Sequence, residues 1–145
     1  MNKNEYEKKA VNDVYKNAHI ALFSISGLMP AVKDNGIKKE LKSQYEGYEK
    51  FVGNVSSYMA ENGIEPKEIN PLQKAFMWSS IKMKTLTDKS RNRIAELMIK
   101  GTVTGITELT AMKNEKCNFS DDTVAFIEDL LTLEESYEKK LKKYL

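Results

Sequence analysis

The spacing of apolar residues predicts helices along the whole of this 145-residue chain. Apolar positions recur three and four residues apart from end to end, and strict alternation with polar residues never persists over several positions. The first spacing is typical of the buried face of an α-helix, whereas alternation would indicate a half-buried β-strand. The sequence therefore predicts an all-α protein.

The first two predicted helices form a hairpin. The first covers about residues 4–33, and Pro30 is expected to kink or loosen its last turn. Asn35 and Gly36 are expected to supply the left-handed residues that end this helix. The second covers about residues 38–62. Because the turn between them is short, the two helices are expected to pack antiparallel.

A shorter third helix is predicted after a stop at Gly63, where the sequence is least regular. Asn70 followed by Pro71 is a good pair for the N-cap and the first helical position, so this helix is expected over residues 71–86. The apolar residues of this helix cover an arc too wide for one buried face. This wide arc favours either a crossover helix held on two sides or a surface for lipid or a partner. The arc consists of Leu72, Phe76, Met77, Trp78, Ile81 and Met83.

The last two predicted helices form a second hairpin with a turn near Asn118. The fourth helix covers about residues 88–116 and places Gly101 and Gly105 on its inward face. The fifth helix is expected to begin with Ser120 as its N-cap. Two hairpins joined by a long connection that contains its own helix predict a four-helix bundle with a crossover helix.

Length, charge and cysteine content narrow the classes of function. The chain is expected to form one domain, residues 1–145, with 30% charged and 41% apolar residues. The net charge of +2 is too small to indicate binding to nucleic acid, and no run approaches the ~20 apolar residues of a membrane span. Cys117 is the single cysteine, so neither a disulfide framework nor a cysteine-based zinc site is expected. The charged N-terminus is unlike a signal peptide, and a cytoplasmic location is expected.

Three short stretches, IAELMIKGTVTGITEL (94–109), LTDKS (86–90) and LTLEESYEKKLKKYL (131–145), resemble small ferritin-like proteins of Firmicutes. The resemblance implies the ferritin-like layout, in which a crossover connection joins two long helical hairpins. It also implies a di-iron centre with one glutamate from each of two helices and a Glu-x-x-His pair from each of the other two.

The pattern of side chains for that di-iron centre is broken on every helix. Leu22 stands at an inward mid-position of the first helix, and on the fourth Gly101 lies on the inward stripe while only Glu108 faces in. On the fifth helix Glu134 fits a ligand position, but Tyr137 stands where the histidine would be. If the last two helices are antiparallel about the turn near Asn118, Glu134 is expected level with Gly101 or Thr102 and ~9 Å from Glu108 along the helix axis. A bridged pair of ions needs carboxylates converging on ions about 3.5–4 Å apart. The sequence therefore predicts a degenerate site.

Glu134 and Glu138 raise the main chemical question, because they interrupt the apolar stripe of the fifth helix. That stripe consists of Val124, Ile127, Leu131, Leu141 and Leu145. Both carboxylates could be buried with partners such as Gln44 or the hydroxyls of Tyr45 and Tyr48, since an unpaired buried charge costs several kcal/mol. Alternatively, they line a wet end of the bundle, or they hold a single ion together with oxygen ligands from neighbouring helices.

Two hypotheses about function follow, and neither includes a catalytic residue, because the chain has no phosphate loop, nucleophile elbow or Ser-His-Asp set. The first is a non-catalytic bundle without a cofactor that acts through association, with a homodimer favoured. Its interface candidates are Leu72, Phe76, Met77, Trp78 and Ile81. The alternative is a divergent carboxylate protein that binds iron or manganese. Its candidate ligands are Glu134, Glu138, Glu108, Tyr45 and Tyr48.

Overall fold

The computed structural model describes residues 3–115 and 119–145, and every regular element within these ranges is helical. The elements are α1 (Lys3–Leu28), a 3₁₀ helix (Met29–Ala31), α2 (Asn35–Glu61), α3 (Pro71–Leu86), α4 (Arg91–Asn114), α5 (Asp121–Leu141) and a 3₁₀ helix (Lys142–Tyr144). The prediction of an all-α protein is confirmed for these ranges. No helix in them combines the length and the apolar character needed to cross a membrane. Cys117 and the predicted turn near Asn118 lie outside the described residues.

The connection between α1 and α2 differs in part from the predicted one. Pro30 lies in the 3₁₀ helix Met29–Ala31, so the predicted loosening of the last turn is confirmed. The prediction that Asn35 and Gly36 end α1 in left-handed conformations is wrong, because neither has a positive φ and both open α2. The Asp34 side chain accepts a hydrogen bond from the backbone N–H three residues later at 3.0 Å, so it caps α2 and fixes its start.

Capping chemistry also sets the ends of the next helices. Gly63 follows α2 with a φ of 63°, a left-handed conformation that glycine adopts without strain. The Asn70 side chain accepts from the second backbone N–H of α3 at 2.8 Å, and the predicted bounds Pro71–Leu86 are confirmed. Ser90 is the N-cap of α4, so this helix begins at Arg91, slightly later than the apolar pattern predicted.

Ser120 caps α5 as predicted, and a contact from α1 reinforces the cap. The Ser120 hydroxyl accepts from the Thr123 backbone N–H at 3.3 Å. Glu7 on α1 accepts a hydrogen bond from the Ser120 backbone N–H and another from the Thr123 hydroxyl at 2.6 Å. This carboxylate therefore lies at the N-terminus of α5, where the helix dipole favours negative charge. The contact holds the start of α1 beside the start of α5.

Contacts between distant residues establish that α1 and α4 run in opposite directions. The Tyr6 hydroxyl, near the start of α1, donates to Glu115 just after α4 at 3.0 Å. Asn17, further along α1, donates to the backbone carbonyl of Gly105, which is earlier in α4, at 3.2 Å. The order of these contacts reverses between the two helices, so they are antiparallel.

Aromatic contacts show that α2 and α5 are antiparallel as well. Tyr48 on α2 packs against Tyr137 on α5 with ring centroids 5.3 Å apart, and the later Tyr58 packs against the earlier Phe126 at 5.1 Å. The short connection between α4 and α5 makes these two helices antiparallel neighbours. It follows that α2 and α4 point the same way, so the chain between them must return along the molecule, and α3 lies in that return.

The core lies between α1, α2, α4 and α5. Its largest fully buried side chains are Tyr48, Ile25, Ile37, Leu41, Met59, Ile94, Leu109, Ile127, Leu130, Leu141, Gln44 and Glu134. Of the predicted α5 stripe, Ile127, Leu131 and Leu141 are buried, but Val124 and Leu145 are exposed. Val124 lies in the first turn of α5 and Leu145 is the last residue of the described range. The predicted apolar stripe therefore extends beyond both ends of the segment that packs in the core.

Candidate functional site

A cavity of about 350 Å³ opens between α3 and α4 and reaches the centre of the molecule. Buried residues of α1, α2 and α5 form its inner end, and exposed residues of α3 and α4 form its mouth. Its lining is Asn17, Ile20, Ala21, Ser24, Leu28, Tyr48, Phe76, Met77, Ser80, Ile81, Lys84, Leu97, Met98, Lys100, Gly101, Thr102, Thr104, Gly105, Glu108 and Glu134. The carboxylate singled out by the sequence therefore lies at the end of an internal cavity.

Glu134 is 2% exposed and has one hydrogen-bonding partner among the described residues. Its Oε2 accepts from the Tyr48 hydroxyl at 3.1 Å, whereas its Oε1 is buried without a partner. Asn17, 6% exposed, donates through Nδ2 to the backbone of α4, and its Oδ1 is likewise buried without a partner. The inner end of the cavity thus holds two buried oxygens that accept no hydrogen bond from the described protein groups.

Gly105 on α4 brings these two oxygens close to one point. A Cβ atom at Gly105 would lie 2.7 Å from Glu134 Oε1, 3.0 Å from Glu134 Oε2 and 3.2 Å from Asn17 Oδ1. Any larger residue would therefore displace the carboxyl group. The absence of a side chain here allows α1, α4 and α5 to approach closely around the carboxyl group of Glu134.

Burial controls the ionisation of this carboxyl group. Removal from water raises the pKa of Glu134 to about 8; the hydrogen bond from Tyr48 lowers it, and the negative charge of Glu108 raises it. Burial also raises the pKa of the Tyr48 hydroxyl far above its ordinary value. At pH 7 Glu134 is therefore mostly protonated and Tyr48 is neutral, so the inner end of the cavity carries almost no charge.

Of the other candidate ligands of the metal hypothesis, Tyr48 contacts Glu134, but Glu108, Glu138 and Tyr45 do not converge on it. Glu108 lies on the cavity lining but is exposed, and Glu138 is half-buried with its Oε1 3.1 Å from Lys142 Nζ. Tyr45 lines a separate cleft on another side of α2. Within residues 3–115 and 119–145, no group of three or more His, Cys, Asp or Glu side chains is placed to hold a metal ion. The donors present do not fit the di-iron centre implied by the ferritin-like resemblance.

The inward face of α4 differs from the predicted one. Gly101 and Glu108 were expected to face the core, but both are exposed, and Thr102 is buried instead. Glu134 was expected level with Gly101 or Thr102, whereas it lies beside Gly105, about one helical turn further along. The register between α4 and α5 is thus offset from the one inferred by counting residues back from the turn.

The apolar residues of α3 divide between two faces. Trp78 and Ile81 pack onto α1, where a Cβ atom at Gly27 would lie 3.1 Å from Ile81 and 3.6 Å from Trp78. Met77 is half-buried. On the opposite side Leu72, Phe76, Met83 and Leu86 are 80%, 75%, 76% and 76% exposed. Together with the exposed Ser79 they form a continuous row spaced four, three, four and three residues apart, called the α3 stripe below.

Sequence reasoning missed Asn17, a polar residue at the inner end of the cavity. Apolar residues at helical spacing on α1 include Val14 and Ala18, and Asn17 immediately precedes Ala18. A polar residue so close to an apolar stripe is a signal that a buried hydrogen bond is needed. The pattern alone did not identify which helix would face it.

Known proteins provide no further assignment. No family model, no curated protein and no solved structure matches this chain. The ferritin-like resemblance therefore depends on the quoted stretches and on the layout of the helices.

Proposed function

We propose that this protein is a non-catalytic, ferritin-like four-helix bundle that acts by pairing with a second copy of itself through the α3 stripe. The observation that carries the proposal is the row of four large apolar side chains, each at least three-quarters exposed, on one face of α3. Contiguous exposed apolar patches on a folded protein are a mark of interaction surfaces.

The ferritin-like part of the proposal is supported by the direction of the helices. In that layout a long connection crosses the molecule between the second and third helices of the bundle, so these two helices are parallel. Here α2 and α4 point the same way, and residues 62–90, which contain α3, connect them. The cytoplasmic location expected from the sequence stays a prediction, which cell fractionation would test.

The spacing of the α3 stripe is self-complementary. Leu72 and Leu86 lie at equal distances in sequence on either side of Ser79, and Phe76 and Met83 lie between them. A two-fold axis through Ser79 would place an antiparallel copy of α3 against this row, so that large residues meet large ones. The small central serine would allow the two helices to approach closely at the axis.

The size of the stripe is sufficient for a specific interface. Four side chains exposed by about three-quarters present roughly 500 Å² of apolar surface per copy, within the range of functional patches. Two copies would bury roughly 1,000 Å² before any polar rim is counted, the lower limit for a specific protein–protein contact.

Analytical ultracentrifugation tests this proposal directly. The wild-type protein should sediment as a dimer, and Met83→Glu should shift it to a monomer because a charge would be buried at the interface. Val124→Glu is the matched control: it also replaces an exposed apolar residue, but on α5. It should leave the dimer intact.

A cysteine at the proposed two-fold axis tests the geometry. Ser79→Cys on a Cys117→Ser background should form a disulfide-linked dimer under mild oxidation, because the two sulfur atoms would face each other across the axis. A strict monomer at high concentration would overturn the proposal. So would a wild-type monomer that binds vesicles of anionic lipid, since the α3 stripe would then be a membrane surface.

The rival function is a divergent carboxylate protein that binds iron or manganese near Glu134. Elemental analysis of the purified protein separates it from the proposal. Stoichiometric iron or manganese, lost together with thermal stability when a chelator is added, would establish the rival and overturn the non-catalytic bundle.

A further inference from the structure

The inner end of the cavity has fewer free hydrogen-bond donors than acceptors, because the Tyr48 hydroxyl and the Asn17 amide already donate elsewhere and the neutral Glu134 carboxyl group carries a single O–H. Glu134 Oε1 and Asn17 Oδ1 are both buried, both lack a partner among the described residues, and both lie near the space left open by Gly105. Among the described residues Glu134 makes no ion pair, and no cation contributes to the shift of its pKa. Buried acceptors without donors are rare and costly in folded proteins, so a group that donates to both would be bound favourably.

The wall between this inner end and the solvent is mainly apolar. Ile20 and Ala21 on α1, Ile81 on α3, and Leu97 and Met98 on α4 line the cavity along its length. A cavity of about 350 Å³ falls in the range of small-molecule sites, which are typically apolar with a few convergent polar groups. The ligand that matches this lining has an apolar body and one polar end.

We propose that this cavity binds an amphiphilic primary amine, with its apolar body between α3 and α4 and its ammonium group donating to Glu134 Oε1 and Asn17 Oδ1. An ammonium group carries several N–H donors and a positive charge, so it can satisfy both oxygens and neutralise an ionised carboxylate. An alcohol has a single donor and no charge, so it would leave one oxygen unpaired. A fatty acid would bring more acceptors and a negative charge, which is costly to bury in this mainly apolar cavity without a cation.

Binding of the amine releases a proton. In the free protein Glu134 holds a proton near neutral pH, and the incoming ammonium favours the carboxylate form. The proton lost by Glu134 goes to solvent, and the ammonium nitrogen keeps its own protons. The neighbouring Tyr48 stays neutral, because burial raises its pKa. Burial also raises the pKa of Tyr137, which packs against Tyr48, and Glu108 is exposed on the cavity lining.

The exposed charges at the mouth of the cavity do not determine which ligand binds at its inner end. Lys84 on α3 and Lys100 on α4 are exposed there, and Glu108 on α4 provides the opposite sign. Lys100 is also 3.1 Å from Glu96, so part of its charge is balanced. Water screens exposed charges of this kind, whereas the buried carboxyl group is screened far less.

Isothermal titration with n-octylamine tests the proposal, with n-octanol and n-octanoate as probes of the same chain length. Octylamine should bind with the highest affinity. Titrations in two buffers of different ionisation enthalpy should show release of about one proton at pH 7 and almost none at pH 9, where free Glu134 has already ionised. Octylamine binding that is no tighter than octanol binding, or that releases no proton at pH 7, overturns the proposal.

Two pairs of variants locate the site. Glu134→Gln should weaken octylamine binding by at least about tenfold, while Glu138→Gln, which changes a half-buried carboxylate one turn away on the same helix, should not. Gly101→Leu should obstruct the mouth, while Gly53→Leu should not. Both glycines are helical and have open space around an added Cβ atom, so both variants should fold. Equal affinities within either pair overturn the proposal.

Discussion

Replacing Glu134 by glutamine should abolish a specific dependence of stability on pH. The folded state raises the pKa of this carboxyl from an ordinary value of 4.5 to about 8. Between these two values the folded protein holds a proton that the unfolded chain has released. The free energy of unfolding therefore falls as pH rises through this window, and the effect of Glu134 is constant above and below it. Glutamine carries no ionisable proton, so it removes this dependence.

The structure sets the size of the effect. Each pH unit inside the window costs roughly 1 kcal/mol, so the wild-type protein should lose roughly 3 kcal/mol relative to Glu134→Gln between pH 5 and pH 8. Glutamine can accept from Tyr48 through its oxygen and donate through its amide to the unpaired Asn17 Oδ1. Near pH 8 the free energy of unfolding of the variant should therefore exceed that of the wild type by on the order of 1 kcal/mol or more.

Urea unfolding at half-unit intervals from pH 5 to pH 9 measures this quantity for both proteins. Subtracting the two curves cancels the contribution of every other titratable group. Glu138→Gln serves as a control, because its carboxylate is half-buried beside Lys142, and it should retain the wild-type profile. Parallel curves for wild type and Glu134→Gln would refute the reasoning, because they would mean that Glu134 ionises in the folded protein as it does in water.

Further expectations concern the glycines and the shape of the buried site, all measured by urea unfolding at pH 7. Gly105→Ala should destabilise the protein by ~1–3 kcal/mol, because its Cβ would lie 2.7 Å from Glu134 Oε1. Gly101→Ala, one turn away in open space, should stabilise the protein by up to ~1 kcal/mol, because alanine favours a helix more than glycine does. Gly47→Ala should destabilise by a similar ~1–3 kcal/mol, since its Cβ would overlap the hydroxyl of buried Tyr137; an unchanged midpoint would mean that α2 and α5 are further apart. Glu134→Ala should cost ~1–3 kcal/mol by enlarging the cavity and leaving Tyr48 without its acceptor, and a neutral result would place Glu134 in water.

The sequence by itself determined the helices and most of their ends. Asn70, Pro71 and Ser120 act on backbone groups within one turn, and Gly63 adopts its left-handed conformation in the local chain, so these signals do not depend on the rest of the fold. The error at Asn35 arose where two local signals competed. The N-cap preceding it determined the outcome.

Only the tertiary structure decided which face of each helix is buried and where the helices meet. A helix can bury either of two neighbouring rows of residues. A shift of one turn moves a contact by 5.4 Å, so a small error in the register between two helices changes which side chains meet. Counting from the turn placed Glu134 beside Gly101 or Thr102, while packing of the whole core places it beside Gly105. The same packing buries Glu134 and leaves Glu138 half-exposed, although both lie on one stripe of α5. The cavity and its unpaired oxygens follow from that register, because they are formed by side chains from five helices that no local pattern connects.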